Sequence, residues 1–297
     1  MNLDYLRSFF TIVECNSISK AAKILHLTQP GLSMQLQSLE NEIGATLLTR
    51  SNKGVELTEE GKVVFDHANT MLSLENNIQK KIKDLKLEKD ILSICSCKSL
   101  GEYVLPCSIY TFREIYMDLD VSLEVYNTST VIKKLINHET NIAIITGEYE
   151  SEDINTIPIL KDELVLVSGP NAESTTISID KIIDIPLILR DVNSNTRILL
   201  SDILKRHSID IDDLNIILSV NSPESIKSAI VSGRGFAFLP EIVVRQELRT
   251  GTMKKINIKD FDTSFNYYFA YRKNSEFTGH EEKFKKFISS NKRCFCY

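Results

Sequence analysis

Residues 17–40 constrain this chain more than any other stretch. They hold two short amphipathic helices joined by three or four residues. Ala21, Ala22 and Leu25 group on one side of the first. Leu32, Leu36, Leu39 and Ile43 follow at i, i+4, i+7 and i+11 in the second, one apolar stripe at helical period. Thr28 is placed to cap the second helix, and Pro30 sits in its first turn, where a missing N–H costs nothing. The opposite face carries Gln29, Ser33, Gln35, Gln37 and Ser38, short neutral groups able to donate to and accept from base edges. A helical hairpin with a solvated polar face would look the same, so this segment alone leaves both readings open. The residues that follow decide between them. Leu47–Arg50 and Val55–Leu57 are short strand-like runs around Ser51-Asn52-Lys53-Gly54, which reads as a hairpin. A hairpin directly after such a helix is the wing of a winged helix-turn-helix, with Arg50 and Lys53 placed to meet phosphates.

Phe9, Ser17, Ala21-Ala22, Leu25, Gln29-Pro30, Ser33, Leu39-Glu40, Gly44, Leu47, Arg50, Leu57-Thr58 and Gly61 stand in an order and spacing that resembles the LysR-type transcriptional regulators. The resemblance covers about the first 65 residues. It implies DNA binding through Ser17, Thr28, Gln29, Pro30, Ser33, Met34, Gln37, Arg50 and Lys53. Met34 departs from the family, which often has a basic residue there; phosphate contact from this helix is thereby weakened, while base reading is not.

Charge runs the other way. The chain is −5 overall, and residues 1–65 hold six Lys/Arg against seven Asp/Glu, whereas nucleic-acid binders usually show a basic face. Specificity of spacing outweighs bulk charge, and the expectation is weak, salt-sensitive binding to random DNA. Apolar content of 42% and charged content of 25% fit a globular chain of about two domains. No basic-then-apolar leader is visible and no apolar run approaches a membrane span, so a cytoplasmic protein without a membrane partner is expected. The six cysteines are then expected reduced. Cys95/Cys97 and Cys294/Cys296 have poor zinc spacing, and on a strand the first pair would share one buried face.

Thr58 to Leu87 reads as one long helix, capped by Thr58 with Glu59 and Glu60 at its positive end. Val64, Ala68, Met71, Ile78, Ile82 and Leu85 mark a heptad seam interrupted at Glu75. At roughly 40–45 Å such a helix exceeds what one small domain needs, so the seam is assigned to a second copy. A dimer would set two recognition helices on a palindromic promoter site; a tetramer and contact with RNA polymerase stay open.

Beyond Asp90 the pattern becomes strands alternating with helices, meaning βαβ units and a mostly parallel sheet in two series. The predicted elements include Ile91–Cys95, a helix near Glu102–Tyr116, Ile142–Ile145, a helix over Thr196–His207, and a closing strand Tyr267–Tyr271 with helix Glu281–Ser289. Gly101–Pro106, Asn195–Arg197 and Ile226–Pro240 resemble the LysR effector domain, itself similar to periplasmic binding proteins. The fold expected is thus an α/β effector domain of two βαβ lobes behind an all-α winged helix-turn-helix and a linker helix. The domains expected are 1–58 (DNA binding), 59–89 (linker and dimerisation) and 90–297 (effector binding), with lobe I at 90–163 and 267–297 and lobe II at 164–266.

In such sheets ligands bind at the carboxyl ends of strands, near helix N-termini. Hydroxyl-bearing turns stand there: Lys98–Gly101, Asn127–Thr130, Asp191–Arg197 and Asn221–Glu224. Each alone is an ordinary helix cap. The resemblance places Ser99, Thr128 and Thr196 in the inducer cleft first, and Ser129, Asn195, Gly147 and Ser222 second. Donors without an obvious arginine pair suit a small anionic or polar metabolite, and a small aromatic or organic acid would fit as well. Gly101–Pro106 and Gly147-Glu148 resemble the branch that regulates sulfur and cysteine metabolism. An enzyme is the main competing class. His26, His67, His138, His207 and His280 are scattered, and no nucleophile-elbow or phosphate-loop motif is present. No catalytic residue, metal or cofactor is expected. A sensor acting through protein partners rather than DNA is the remaining alternative.

Overall fold

The structure is a computed structural model describing residues 1–51, 54–86, 91–172, 174–291, 293 and 295. The chain divides into two compact units, Met1–Glu88 with Ile136–Glu139, and Lys89–Leu135 with Thr140–Tyr297.

The first unit opens with α1 (Leu3–Cys15), which starts where the Asn2 side chain accepts the Asp4 N–H and stops at Asn16, whose left-handed φ of 47° ends the helix. Helix α2 (Ile18–Ile24) follows a Ser17 cap, and α3 (Gln29–Ile43) follows a Thr28 cap that accepts the Gly31 N–H at 3.2 Å. Gly44, at φ 79°, ends α3. Strands β1 (Leu48–Ser51) and β2 (Gly54–Leu57) pair antiparallel as the expected two-stranded wing. Helix α4 (Glu59–Lys86) begins behind Thr58, whose hydroxyl accepts the Gly61 N–H at 2.9 Å. The core is small. Leu6, Phe9, Leu39, Leu47 and Ala68 form one cluster, and Ile12, Ala21, Ala22 and Leu32 a second.

The second unit begins with β3 (Ile91–Cys97), α5 (Lys98–Tyr103), α6 (Leu105–Ile115), β4 (Asp120–Tyr126), α7 (Thr128–Ile136) and β5 (Ile142–Thr146). There follow β6 (Ile154–Ser168), β7 (Thr176–Ile177), β8 (Leu187–Arg190), α8 (Asn195–Arg206), β9 (Ile216–Val220), α9 (Pro223–Val231), β10 (Phe236–Pro240), α10 (Glu241–Thr250), β11 (Lys254–Ile258), β12 (Ser264–Arg272) and α11 (Gly279–Ile288). The sheet runs β4-β3-β5-β12-β6-β10-β8-β9, with β11 against β6 and β7 against β11. Its outer parts are parallel, β4-β3-β5 on one side and β10-β8-β9 on the other. Antiparallel β12 and β6 join them: β6 pairs with β12 over Ile154–Glu163 and with β10 over Leu164–Ser168. Phe112 of α6 packs edge-on against Phe284 of α11 at 5.2 Å.

Two expectations are corrected. The single helix near 102–116 is two, α5 and α6, broken at Val104 because Pro106 in the first turn of α6 cannot continue a helix from α5. Cys95 and Cys97 do not share a face: Cys95 packs with Val131, Leu135 and Ala143, whereas Cys97 joins Leu92 and Ile94. Strand alternation ends at Cys97, which is the N-cap position of α5. Burial pushes the Cys97 thiol pKa up, and the Thr146 side chain offsets part of that. Cys294 and Cys296 lie outside the described residues.

Candidate DNA-reading face and effector cavity

Helix α3 turns Leu32 and Leu39 inward, and this fixes what points out. Thr28, Gln29, Pro30, Met34, Gln37 and Asn41 are exposed, and Ser33 and Ser38 half-buried beside them. Met34 is 68% exposed, in the middle of this face, where a thioether suits a thymine methyl better than a phosphate. The Gln29 side-chain Oε1 accepts from the Ser19 hydroxyl at 3.1 Å, so the first polar residue of α3 is oriented by α2. Gln35 points elsewhere: its side chain accepts from the hydroxyl of buried Ser8, which removes it from the polar reading face. Ser17 is half-buried and caps α2, accepting the Lys20 N–H at 3.3 Å. Lys20 and Lys23 of α2 are exposed cations the motif reading passed over. Arg50 lies on β1, and its side chain, like the whole of Lys53, is outside the described residues.

Side chains brace the wing in addition to its own short ladder. Glu40 accepts the Leu47 N–H at 2.7 Å, and the Asn16 side chain accepts the Val55 N–H at 2.9 Å. A Cβ on Gly61 would fall 2.0 Å from the Leu47 carbonyl oxygen, so a glycine there lets the start of α4 close on the wing.

Along α4 the outward apolar stripe follows the heptad pattern only in part. Ala68 is fully buried in the core of its own unit, so it is not free for a second copy, and Val64 packs half-buried against the same core. Glu75 is no interruption of a seam; it forms an ion pair with Arg7 at 2.6 Å and faces α1. What remains exposed is Val63, Met71, Leu74, Ile78 and Ile82, with Ile78 at 60%. The Leu85 side chain lies outside the described residues.

In the second unit a cavity of about 20 Å³ opens at the carboxyl ends of β3, β5 and β8. Ser99, Thr128, Asn195 and Thr196 line it, with Asn127 and Thr146. Thr128 Oγ1 accepts the Thr146 N–H at 3.4 Å, and Asn195 Nδ2 donates to the Thr146 carbonyl at 3.2 Å, tying the start of α8 to the end of β5. Ser194 caps α8 by accepting the Arg197 N–H. Ser129, Gly147 and Ser222 are not on the lining: Ser129 donates to Asn127, Gly147 turns at φ 77° with its N–H on Asn266, and Ser222 caps α9.

No arginine pair is obvious among these turns, and the structure places one arginine on the cavity. Arg190, the last residue of β8, lines the cavity and is 5% exposed. Its Nη2 donates to the Asn221 carbonyl at 3.1 Å and stands 3.8 Å from Asp191 Oδ1, while Nε has no partner among the described residues. Burial pushes its pKa down, and the nearby Asp191 charge opposes this. Lys98 joins it on the lining. No group of three or more His, Cys, Asp or Glu among the described residues could hold a metal. No helix among them is long and apolar enough to cross a membrane.

Comparison with known proteins agrees with this division. Residues 3–62 match the bacterial regulatory helix-turn-helix protein, lysR family, and residues 86–292 match the LysR substrate binding domain. A probable RuBisCO transcriptional regulator of Cyanidioschyzon merolae is 31% identical over 264 residues, covering 86% of this chain and 87% of its own. Full-length CbnR complexed with target DNA has a TM-score of 0.65 at 18% identity, over 97% of this chain and 98% of its own. The Synechocystis PCC6803 CcmR regulatory domain in complex with 2-PG has a TM-score of 0.62 at 22% identity, over 68% of this chain and 96% of its own. The resemblance to the sulfur and cysteine branch finds no support here: the curated relatives at this similarity are named probable RuBisCO transcriptional regulators. With both halves matched in order behind one helix-turn-helix, the chain belongs to the LysR family: it is a DNA-binding transcriptional regulator with a ligand-binding regulatory domain.

Proposed function

We propose that this regulator reads a dyad-symmetric promoter site as a dimer and is controlled by a small anionic or polar metabolite in the Ser99–Thr128–Thr196 cavity. The observation that carries the reading is the convergence of three separate helix starts, at Lys98–Ser99, Asn127–Thr128 and Ser194–Thr196, with Thr146 at the end of β5 on one cavity, while the Asn221–Glu224 turn stays off its lining. Base reading falls to Gln29, Pro30, Ser33, Met34 and Gln37, with Ser17, Thr28, Arg50 and Lys53 flanking. Dimerisation falls to the outer stripe of α4, of which Met71, Ile78 and Ile82 are the members shared with the heptad pattern. The working division is 1–58 for DNA, 59–89 for dimerisation and 90–297 for the effector, with lobe I at 90–163 and 267–297 and lobe II at 164–266. That a regulatory domain of the same fold is described with 2-PG supports a small-molecule occupant. A chain that acts on DNA in this way works in the cytoplasm; RNA polymerase is a partner only if regulation is positive.

A ligand shifts such a regulator only through different affinity for its two states. The test is therefore linkage. An operator is recovered by selection from random duplex DNA, and its affinity is measured by fluorescence anisotropy with and without candidate metabolites, in wild type and Thr196→Val. The proposal expects one metabolite class to change operator affinity at least fivefold, and Thr196→Val to abolish that response while operator binding persists. Operator binding that no metabolite alters would instead favour a sensor that answers to protein partners.

A further inference from the structure

The two parallel parts of the large sheet, β4-β3-β5 and β10-β8-β9, are joined by very little chain. Strand β6 leaves β12 and takes up β10 between Glu163 and Leu164, and the return runs from β11 to β12, which begins at Ser264. The two passages lie side by side, since the Leu164 N–H donates to the Thr263 carbonyl at 3.1 Å. Connections so few and so close form a hinge, where a few element-terminal residues absorb rotation. The angle about such a hinge is set by contacts made away from it. We propose that Tyr103 of α5 is a latch across this hinge, engaging a socket of Glu224, Lys227 and Glu247 on α9 and α10 and holding the two halves at their resting angle.

Tyr103 ends α5, which follows β3 in one half, whereas α9 follows β9 and α10 follows β10 in the other. The Tyr103 hydroxyl donates to Glu224 Oε1 at 2.6 Å, the short distance of a bond to a charged acceptor. Lys227 Nζ stands 5.2 Å from the Tyr103 ring centroid, within reach of a cation–π contact. The same ammonium meets Glu224 Oε1 at 3.0 Å and Glu247 Oε1 at 2.7 Å. The Tyr103 hydrogen bond holds the Glu224 carboxyl pKa below its ordinary value, while burial together with Glu224 pushes the Tyr103 phenol up. Three of the four groups belong to one half and satisfy one another, so the socket stays whole when Tyr103 leaves. Lys227, 9% exposed, keeps both carboxylates, and the Glu224 side chain, 64% exposed, takes water in place of the phenol. Release gives up one hydrogen bond and one ring contact and strands no unpaired charge, which makes the contact reversible. Asn195 with Thr146 also bridges the halves, but on the cavity, whereas none of the four latch residues lines it. A ligand that prefers one angle works with or against the latch.

The experiment uses the full chain without ligand. Spin labels are carried on a non-canonical ketone residue at Glu114 of α6 and Lys205 of α8, both exposed and one in each half, so the native cysteines stay. Labelled protein is assembled with excess unlabelled protein, and the distance distribution within one chain is read by pulsed electron paramagnetic resonance. Wild type is compared with Tyr103→Phe, Tyr103→Leu and Glu224→Gln, each first shown to melt cooperatively. Tyr110→Phe, at an exposed tyrosine of α6, is the control. The expected result is a second, displaced distance population at least fivefold larger than in wild type for Tyr103→Leu and Glu224→Gln. Tyr103→Phe, which keeps the ring, should show a smaller one, and Tyr110→Phe the wild-type distribution. The double variant Tyr103→Phe/Glu224→Gln should open no further than Glu224→Gln alone, because the two groups share one bond. Should Tyr103→Leu not fold, Tyr103→Phe and Glu224→Gln carry the test. Variants that lose melting temperature but keep the wild-type distribution mark packing alone and overturn the latch, and so does an equal second population in Tyr110→Phe. Either failure leaves the effector reading untouched, because no ligand enters the measurement.

Discussion

Gly61 has room for a hydrogen and nothing larger, because the Leu47 carbonyl oxygen occupies the place of a side chain. Gly61→Ala is predicted to destabilise the N-terminal unit by about 1–3 kcal/mol, the usual cost of overpacking, read as a lower urea midpoint. On α3 the prediction is about DNA. Gln29→Ala and Met34→Ala should each cost about 1–3 kcal/mol of discrimination between specific and random DNA, with the melting point unchanged. Equal loss on both DNAs would remove these side chains from base reading. Part of this scale was legible: the Thr28 cap and Pro30 stand where their spacing put them, and Ser99, Thr128 and Thr196, which the family resemblance singled out, line one cavity. Gln35 and Arg190 were not. Gln35 has the same chemistry as Gln37, and only the packing of α1 across α3 distinguishes them. Arg190 closes an apolar strand, Leu187–Arg190, and nothing local says that its guanidinium turns inward.

At the scale of elements, α4 shows how a correct helix can carry a misplaced seam. The apolar residues fit a heptad, but Val64 and Ala68 pack toward the local core and Glu75 pairs with Arg7, so the outward stripe keeps Met71, Ile78 and Ile82 and adds Val63 and Leu74. A single-chain pattern cannot separate two apolar faces of one helix; burial by the neighbouring α1 does. Ile78→Glu and Ile82→Glu are predicted to turn the dimer into monomer in analytical ultracentrifugation without lowering helicity, since both side chains are exposed in the single chain. Strand β6 supplies a second element-scale prediction. Asp162 sits where β6 passes from β12 toward β10, buried beside the Tyr267 hydroxyl at 3.4 Å. Burial raises its pKa to about 6. The folded state then binds the proton more tightly than the unfolded one, so stability falls as pH rises from about 4 to about 6 and is level above. The loss is up to about 3 kcal/mol, and Asp162→Asn should flatten the pH profile of the urea midpoint across that window.

For the whole molecule, the order of parts was written in the chain: one helix-turn-helix, one long helix, then strands and helices in alternation. Less legible was the join in the middle of the sheet. The long β6 and the returning β12 are antiparallel partners separated by about a hundred residues, and no local period reports such pairing. The acidic balance, −5 over the chain, makes strong binding to random DNA implausible on physical grounds and puts the weight on two recognition helices acting together. In a two-fold dimer these meet half-sites about 34–36 Å apart. The most direct test of the regulator account is therefore selection of genomic fragments by the purified full-length protein at moderate salt. The account predicts enrichment of one dyad-symmetric motif with half-sites about one helical turn, or a whole multiple of it, apart. No enrichment by protein shown to be folded and dimeric would contradict it.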